Sequence, residues 1–266
     1  MFKVRILATA IFAAAMAVPA FAQEPGSAEG EAPAAEAATT PQPPLPRVMP
    51  VPKTNVFKLS AGDFKHFFSA DTGRTLAYTS MVAISTAPWD QQGVNNGFNI
   101  PTTIFQAGNL IGSFAFQAGA AFATYGIAKV LHNPKAADVG RDIVRAQILT
   151  QVMVQTLKFT VRRERPDGSN RQSFPSGHSS SAFATATVLQ RHYGWKVGAP
   201  AYALGSYVAL ARMSWNRHHV SDVVMGAGFG IAAARTVTMT VANSKFNLGV
   251  QPQVGGASIN FTKIYE

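Results

Sequence analysis

The 266-residue chain contains no cysteine. A thiol nucleophile, a cysteine-ligated zinc, an iron–sulfur centre and any disulfide are therefore excluded. Acidic residues are scarce: 13 Asp and Glu stand against 23 Lys and Arg, a formal net charge of +10. Between Ile100 and Ala128 there is no charge of either sign, and between Gln23 and Pro46 there is no Lys or Arg. That second segment carries Glu24, Glu29, Glu31 and Glu36 and follows Lys3 and Arg5, so the chain from Arg47 onward holds +12. A basic folded part fits an anionic partner, either a phosphorylated substrate or an anionic membrane surface.

Met1–Ala22 has the three parts of a secretory signal peptide. Lys3 and Arg5 form the charged start, Ile6–Val18 the apolar centre, and Ala20-Phe21-Ala22 the small-residue cleavage site. Export to the periplasm or cell envelope is expected, with no nucleic acid as partner. Residues 23–55 are rich in Ala, Pro and Glu and read as a disordered tether. Residues 56–246 are expected to form one helical domain and residues 247–266 a β-hairpin turning at Gly255-Gly256.

The expected fold class is all-α, a bundle of about five to six core helices with a short C-terminal β-hairpin packed on it. Ser60-Ala61-Gly62-Asp63 resembles a capping box that opens a helix through Phe68, with Phe64, Phe67 and Phe68 facing the core. Further helices are expected over Thr75–Ala87, Val139–Val161, Ser179–Tyr193, Gly198–Met213 and Val220–Val241. The uncharged stretch Ile100–Ala128 is long enough to cross a bilayer. Gln106, Asn109 and Gln117 interrupt it, which favours a globular bundle lying against the membrane over a span.

Three clusters carry chemistry. In the first, Lys158 and Arg165 are seven residues apart before Pro166, a spacing that predicts two cations on one helical face. Such a pair suits phosphoryl oxygens, arginine bidentately and lysine as a point charge. Arg162 and Arg163 read as a solvated helix end. In the second, Pro175-Ser176-Gly177-His178 opens a helix whose first N–H groups favour an anion. In the third, Arg212 precedes His218 and Asp222, whose four-residue spacing predicts a shared helical face. A carboxylate on one ring nitrogen makes the other nitrogen a better nucleophile or base. His66, His132, His192 and His219 stand apart from these clusters and read as structural or surface residues.

Lysine, six residues, Arg-Pro; then Pro-Ser-Gly-His; then arginine, five residues, His, three residues, Asp occur in that order. Over Lys158–Asp222 the chain resembles the type 2 phosphatidic acid phosphatase superfamily of acid phosphatases, lipid phosphatases and vanadium haloperoxidases. Ala211 stands where that pattern usually has serine.

The resemblance implies that Lys158, Arg165, Arg212, Ser176 and Gly177 bind the substrate phosphate. It implies that His218 attacks phosphorus, Asp222 orients it, and His178 protonates the leaving oxygen and later activates water. No metal or cofactor is implied, three cations supplying the positive charge. The expected activity is that of an exported phosphatase acting on phosphomonoesters or diphosphates, lipid phosphates among them. Two other readings stay open: a vanadate-dependent haloperoxidase, and a non-catalytic envelope protein that binds anions or lipids.

Overall fold

The computed structural model describes residues 56–90, 102–241, 245–253 and 256–264, with side chains over 56–90 and 102–238. The expected signal peptide, the tether and most of the loop 89–99 lie outside the described residues. The helices are α1 (Val56–Phe67), α2 (Ala70–Thr86), a 3-10 turn (Thr102–Phe105), α3 (Gln106–Ile111), α4 (Phe114–Val130), α5 (Pro134–Val161), α6 (Gly177–Tyr193), α7 (Trp195–Ser214) and α8 (Val220–Val241).

Helix α8 is the centre of the bundle and packs against α6, α2, α5 and α1. Val223, Val224, Ile231, Ala232, Ala233, Ala234 and Val237 are all buried, as an apolar helix with no polar face requires. Within the described residues it is the one helix long and apolar enough to cross a bilayer, and 89% of its apolar window is buried inside the protein. It is a core helix. Gly226 and Gly230 let it touch α6 directly: a Cβ on Gly230 would stand 2.2 Å from the Ser180 carbonyl oxygen. One on Gly226 would stand 2.5 Å from that of Ser176.

Helix α5 starts with Pro134 in its first turn, after Asn133 whose side chain accepts from the Ala136 N–H at 3.0 Å. Leu149 and Val154 face the core, each burial contributing about 1.5–3 kcal/mol. On the same helix Arg145 is wholly buried, and it donates to both Asp63 oxygens (2.9 and 2.6 Å) and to Asp142 (3.0 Å). His192 of α6 donates to the other Asp142 oxygen at 3.0 Å, so one ionic cluster joins α1, α5 and α6.

The uncharged stretch is not straight. Thr102–Ile111 and Phe114–Val130 meet at a 49° bend, and Ser113 caps α4 by accepting from the Phe116 N–H. Gln117 turns inward and bonds to Thr185, whereas Phe116, Phe122, Ile127 and Val130 face out.

The expected fold class needs correction on two counts. The described residues hold eight α-helices and a 3-10 turn rather than five or six helices, because short caps at Ser69 and Ser113 break the chain more often than its periodicity shows. Among the described residues the C-terminal hairpin is not part of the bundle, and no strand enters the helical body. Lys245–Gln253 and Gly256–Ile264 pair only with each other and make no extended contact with any helix. The class is therefore a helical bundle alone.

Smaller differences have local causes. Ser60 lies inside α1 rather than at its start, since the helix begins four residues earlier at Val56. Phe67 is buried and Phe64 half-buried, but Phe68 sits past the helix end and is 81% exposed.

Candidate active site

Lys158 lies in the last turn of α5, buried, and its Nζ donates to the Gln172 carbonyl oxygen at 2.6 Å. The helix stops at Val161 because Arg162 takes a left-handed conformation, φ 50°. Arg165 therefore reaches the site from a loop, not from the helical face that the seven-residue spacing predicts. That loop is closed by the Arg165 N–H on the Asn170 carbonyl (3.0 Å) and the Gly168 N–H on the Arg165 carbonyl (2.9 Å).

Ser176 is the N-cap of α6, and its Oγ accepts from the Ser179 N–H at 3.4 Å. The N–H groups of Gly177 and His178 begin the helix and have no partner within it, so they offer donors and the positive end of the helix dipole. Burial is the largest influence on His178 and lowers its pKa to about 4, with Arg212, Arg165 and Lys158 pushing the same way and a backbone bond to Asn109 opposing them.

Arg212, in the last turn of α7, is buried and donates to the Asn109 side chain. Its neighbour across the interface is α3, which comes close because a Cβ at Gly108 would already lie 2.8 Å from the Ala211 Cβ. Desolvation, then Arg165 and Arg217, lower the Arg212 pKa to about 10, and desolvation with Arg165 lowers that of Lys158 to about 8. Burial and the neighbouring Arg217 also hold Arg165 below its ordinary value. The Nε–H groups of Arg165 and Arg212 are buried with no hydrogen-bond partner. Three crowded cations with free buried donors form a cradle for an oxyanion.

His218 precedes α8 rather than riding on it. Its Nδ1–H donates to the Ser173 carbonyl oxygen at 2.6 Å, which fixes the tautomer and leaves Nε2 with a free lone pair. Burial, then Lys158, Arg212 and Arg165, hold its pKa well below the usual histidine value. The ring is neutral. The nearer Asp222 oxygen stands 3.9 Å from Nδ1. Asp222 instead accepts from Ser173 Oγ (2.5 Å), the His219 N–H (2.9 Å) and Arg163 (2.8 Å).

The eight residues singled out from the sequence thus converge: both histidines feel the same three cations, and the Ser176 N–H donates to the Asp222 carbonyl oxygen at 3.0 Å. Sequence reasoning missed Asp90, Asn109, Arg163 and Ser173. Arg163 is not a solvated helix end, since it bridges Asp90, Ser221 and Asp222. Asn109 had a signal, being a polar residue inside an uncharged run. Of the other histidines, His192 bonds Asp142 and His219 bonds the Glu164 carbonyl. Among the described residues no group of three or more His, Asp or Glu stands close enough to hold a metal ion.

The bundle thus sets three crowded cations beside two imidazoles whose pKa values are lowered, an arrangement with the chemistry to receive an oxyanion. Residues 141–246 match the family model of the PAP2 superfamily. Among curated proteins, the chain is 40% identical over 82 residues to the lipid A 1-phosphatase of Porphyromonas gingivalis, covering 30% of this chain and 18% of that protein. It is 36% identical over 80 residues to a probable diacylglycerol pyrophosphate phosphatase 1 of Schizosaccharomyces pombe (25% and 29% of the two chains). It is 31% identical over 64 residues to the lipid A 4'-phosphatase of Helicobacter pylori (24% and 32%). These matches span under a third of each relative's length. No solved structure matches the chain significantly.

Proposed function

We propose that the protein is an exported, metal-independent phosphatase that hydrolyses phosphomonoesters or diphosphates carried on lipids, through a phosphohistidine. The observation that carries this reading is the free Nε2 of a neutral, buried His218 beside the unpartnered Nε–H groups of Arg165 and Arg212.

In the first half-reaction the Nε2 lone pair of His218 forms a bond to phosphorus while the phosphorus–oxygen ester bond breaks. The leaving oxygen takes a proton from His178, and Lys158, Arg165, Arg212 and the N–H groups at the start of α6 hold the charge on the other phosphoryl oxygens. In the second, His178 takes a proton from water as its oxygen attacks phosphorus and the N–P bond breaks, releasing phosphate. The cations keep His178 neutral in the empty site. A substrate dianion among them reverses the local sign and favours the imidazolium needed to donate.

A lipid substrate is supported by the outward apolar side chains Leu110 of α3, the helix that also carries Asn109, and Phe114, Phe116 and Phe122 of the adjoining α4. These side chains would rest on the membrane surface, with the phosphate held by the cradle beneath. The relatives' names point the same way.

The test is turnover of p-nitrophenyl phosphate, lipid A and diacylglycerol pyrophosphate by the mature chain in EDTA, against His218→Ala. Loss of turnover and of an acid-labile phosphoenzyme is expected in the variant. Wild-type turnover by His218→Ala would overturn the mechanism, and halide oxidation with vanadate and peroxide in place of hydrolysis would overturn the function.

A further inference from the structure

Asp222 is expected, from its spacing, to bond His218, yet both of its oxygens are already engaged elsewhere. Oδ1 accepts from Arg163 Nη1 at 2.8 Å, and Oδ2 accepts from Ser173 Oγ and the His219 N–H. Arg163 is braced from behind. Its Nη2 donates to Asp90 Oδ2 at 2.8 Å, and Asp90 in turn accepts from the Ser221 N–H (3.0 Å) and Ser221 Oγ (2.6 Å). The Arg163 carbonyl accepts from the Ser173 N–H at 2.9 Å, so one residue holds Asp222 with its side chain and the Ser173 backbone with its carbonyl. That backbone carries the carbonyl on which His218 rests.

We propose that Arg163, braced by Asp90, is a positioning residue that keeps the Asp222 carboxylate off the His218 ring and holds that ring on the Ser173 carbonyl. This rests on His218 being the nucleophile. A free carboxylate 3.9 Å from Nδ1 would favour the imidazolium, which has no lone pair to attack with. Arg163 neutralises that carboxylate, and three bonds from Arg163, Ser173 and His219 fix it in place.

The groups facing His218 come from every packed element. Lys158 of α5, Arg165 of the following loop and Arg212 of α7 disfavour a charged ring. His178 of α6 is neutral under the same cations. Arg217 is turned to Asp167, and His219 to the Glu164 carbonyl. Asp222 of α8 is the acid that could draw a proton onto the ring, and Arg163 is the residue set against it. Burial lowers the Arg163 pKa, but Asp222 and Asp90 outweigh this and raise it, so Arg163 stays charged throughout the working range.

The experiment follows the His218 ring by NMR in 15N-histidine protein, assigned against His218→Gln, together with kcat/KM for p-nitrophenyl phosphate against pH. In the wild type the ring stays neutral and Nδ1-protonated to well below the ordinary histidine range. In Arg163→Met the ring titrates at least one pH unit higher, and the acid limb of kcat/KM moves up with it. Inhibition by inorganic phosphate changes less than twofold, because the clamp cations remain. Arg163→Lys restores most of the wild-type profile. Asp90→Asn, which weakens only the brace, moves the ring in the same direction by less. An unchanged ring titration in Arg163→Met, or in Asp90→Asn should the former not fold, overturns the proposal. So does an Arg163→Lys variant as impaired as Arg163→Met. A wild type with no phosphatase turnover would defeat the functional reading instead, while the ring titration still decides this one.

Discussion

The Ser176 N–H donates to the Asp222 carbonyl oxygen over 3.0 Å, which ties the start of α6 to the first turn of α8. The bond exists because Gly226, one turn further along α8, lets the two helices meet backbone to side chain-free backbone. A Cβ there would lie 2.5 Å from the Ser176 carbonyl oxygen and 3.2 Å from the Ser179 Cβ. Gly226→Ala should therefore push the phosphate-binding turn away from the nucleophile's loop. Overpacking of this kind costs about 1–3 kcal/mol of stability. A fall in kcat larger than the change in denaturation midpoint would imply, measured well below that midpoint, is the expected outcome.

Lys158 should set the alkaline side of the pH profile. Its pKa is lowered to about 8 by desolvation and by Arg165, so above that pH the cradle loses one of its three charges. The kcat/KM for a monoester should fall above about pH 8. Lys158→Arg keeps its charge and should move that limb upward while lowering the maximum, because a guanidinium is bulkier and differently shaped.

His178 should take up a proton when phosphate binds. Its pKa is about 4 in the empty site, and a bound dianion raises it, so near pH 6 the complex holds more protons than the free protein. Calorimetric titration with sulfate, a dianion throughout this range, in two buffers of different ionisation enthalpy should report uptake approaching one proton. His178→Asn should abolish that uptake.

Both histidines also make stability pH-dependent. In the folded protein they are held neutral, His178 to about pH 4 and His218 to well below its ordinary value, whereas unfolded they take a proton near pH 6.5. Below about pH 6.5 the unfolded chain binds more protons, so stability falls as pH falls, by up to about 1.4 kcal/mol per pH unit for each histidine. Urea unfolding at pH 6.5 and pH 5 measures this, and His218→Gln should lessen the slope.

Much of the site could be read from the sequence because its parts are local. The periodicity that ends α6 at Tyr193 and that spans α8 from Val220 to Val241 is a property of short stretches, and both boundaries match the structure. The motif spacings bring out Lys158, Arg165, Ser176, Gly177, His178, Arg212, His218 and Asp222 for the same reason. Arg165 marks the limit of that reasoning. Seven residues place it on the Lys158 face only if the helix continues, and the left-handed Arg162 ends it first.

The sequence by itself determined which side chains gather at the candidate site, the absence of thiol chemistry and the positions of the long helices. Only the tertiary structure decided how those side chains are held. Asp222 is occupied by Arg163 and Ser173, and Asp90 reaches Ser221 across 131 positions of sequence. Asn109 meets Arg212 across 103 positions, where Gly108 lets α3 close on α7. Hydrophobic periodicity is blind to such pairs. A polar side chain's partner is fixed by which helices pack together and at what distance, and that follows from small residues at the crossings.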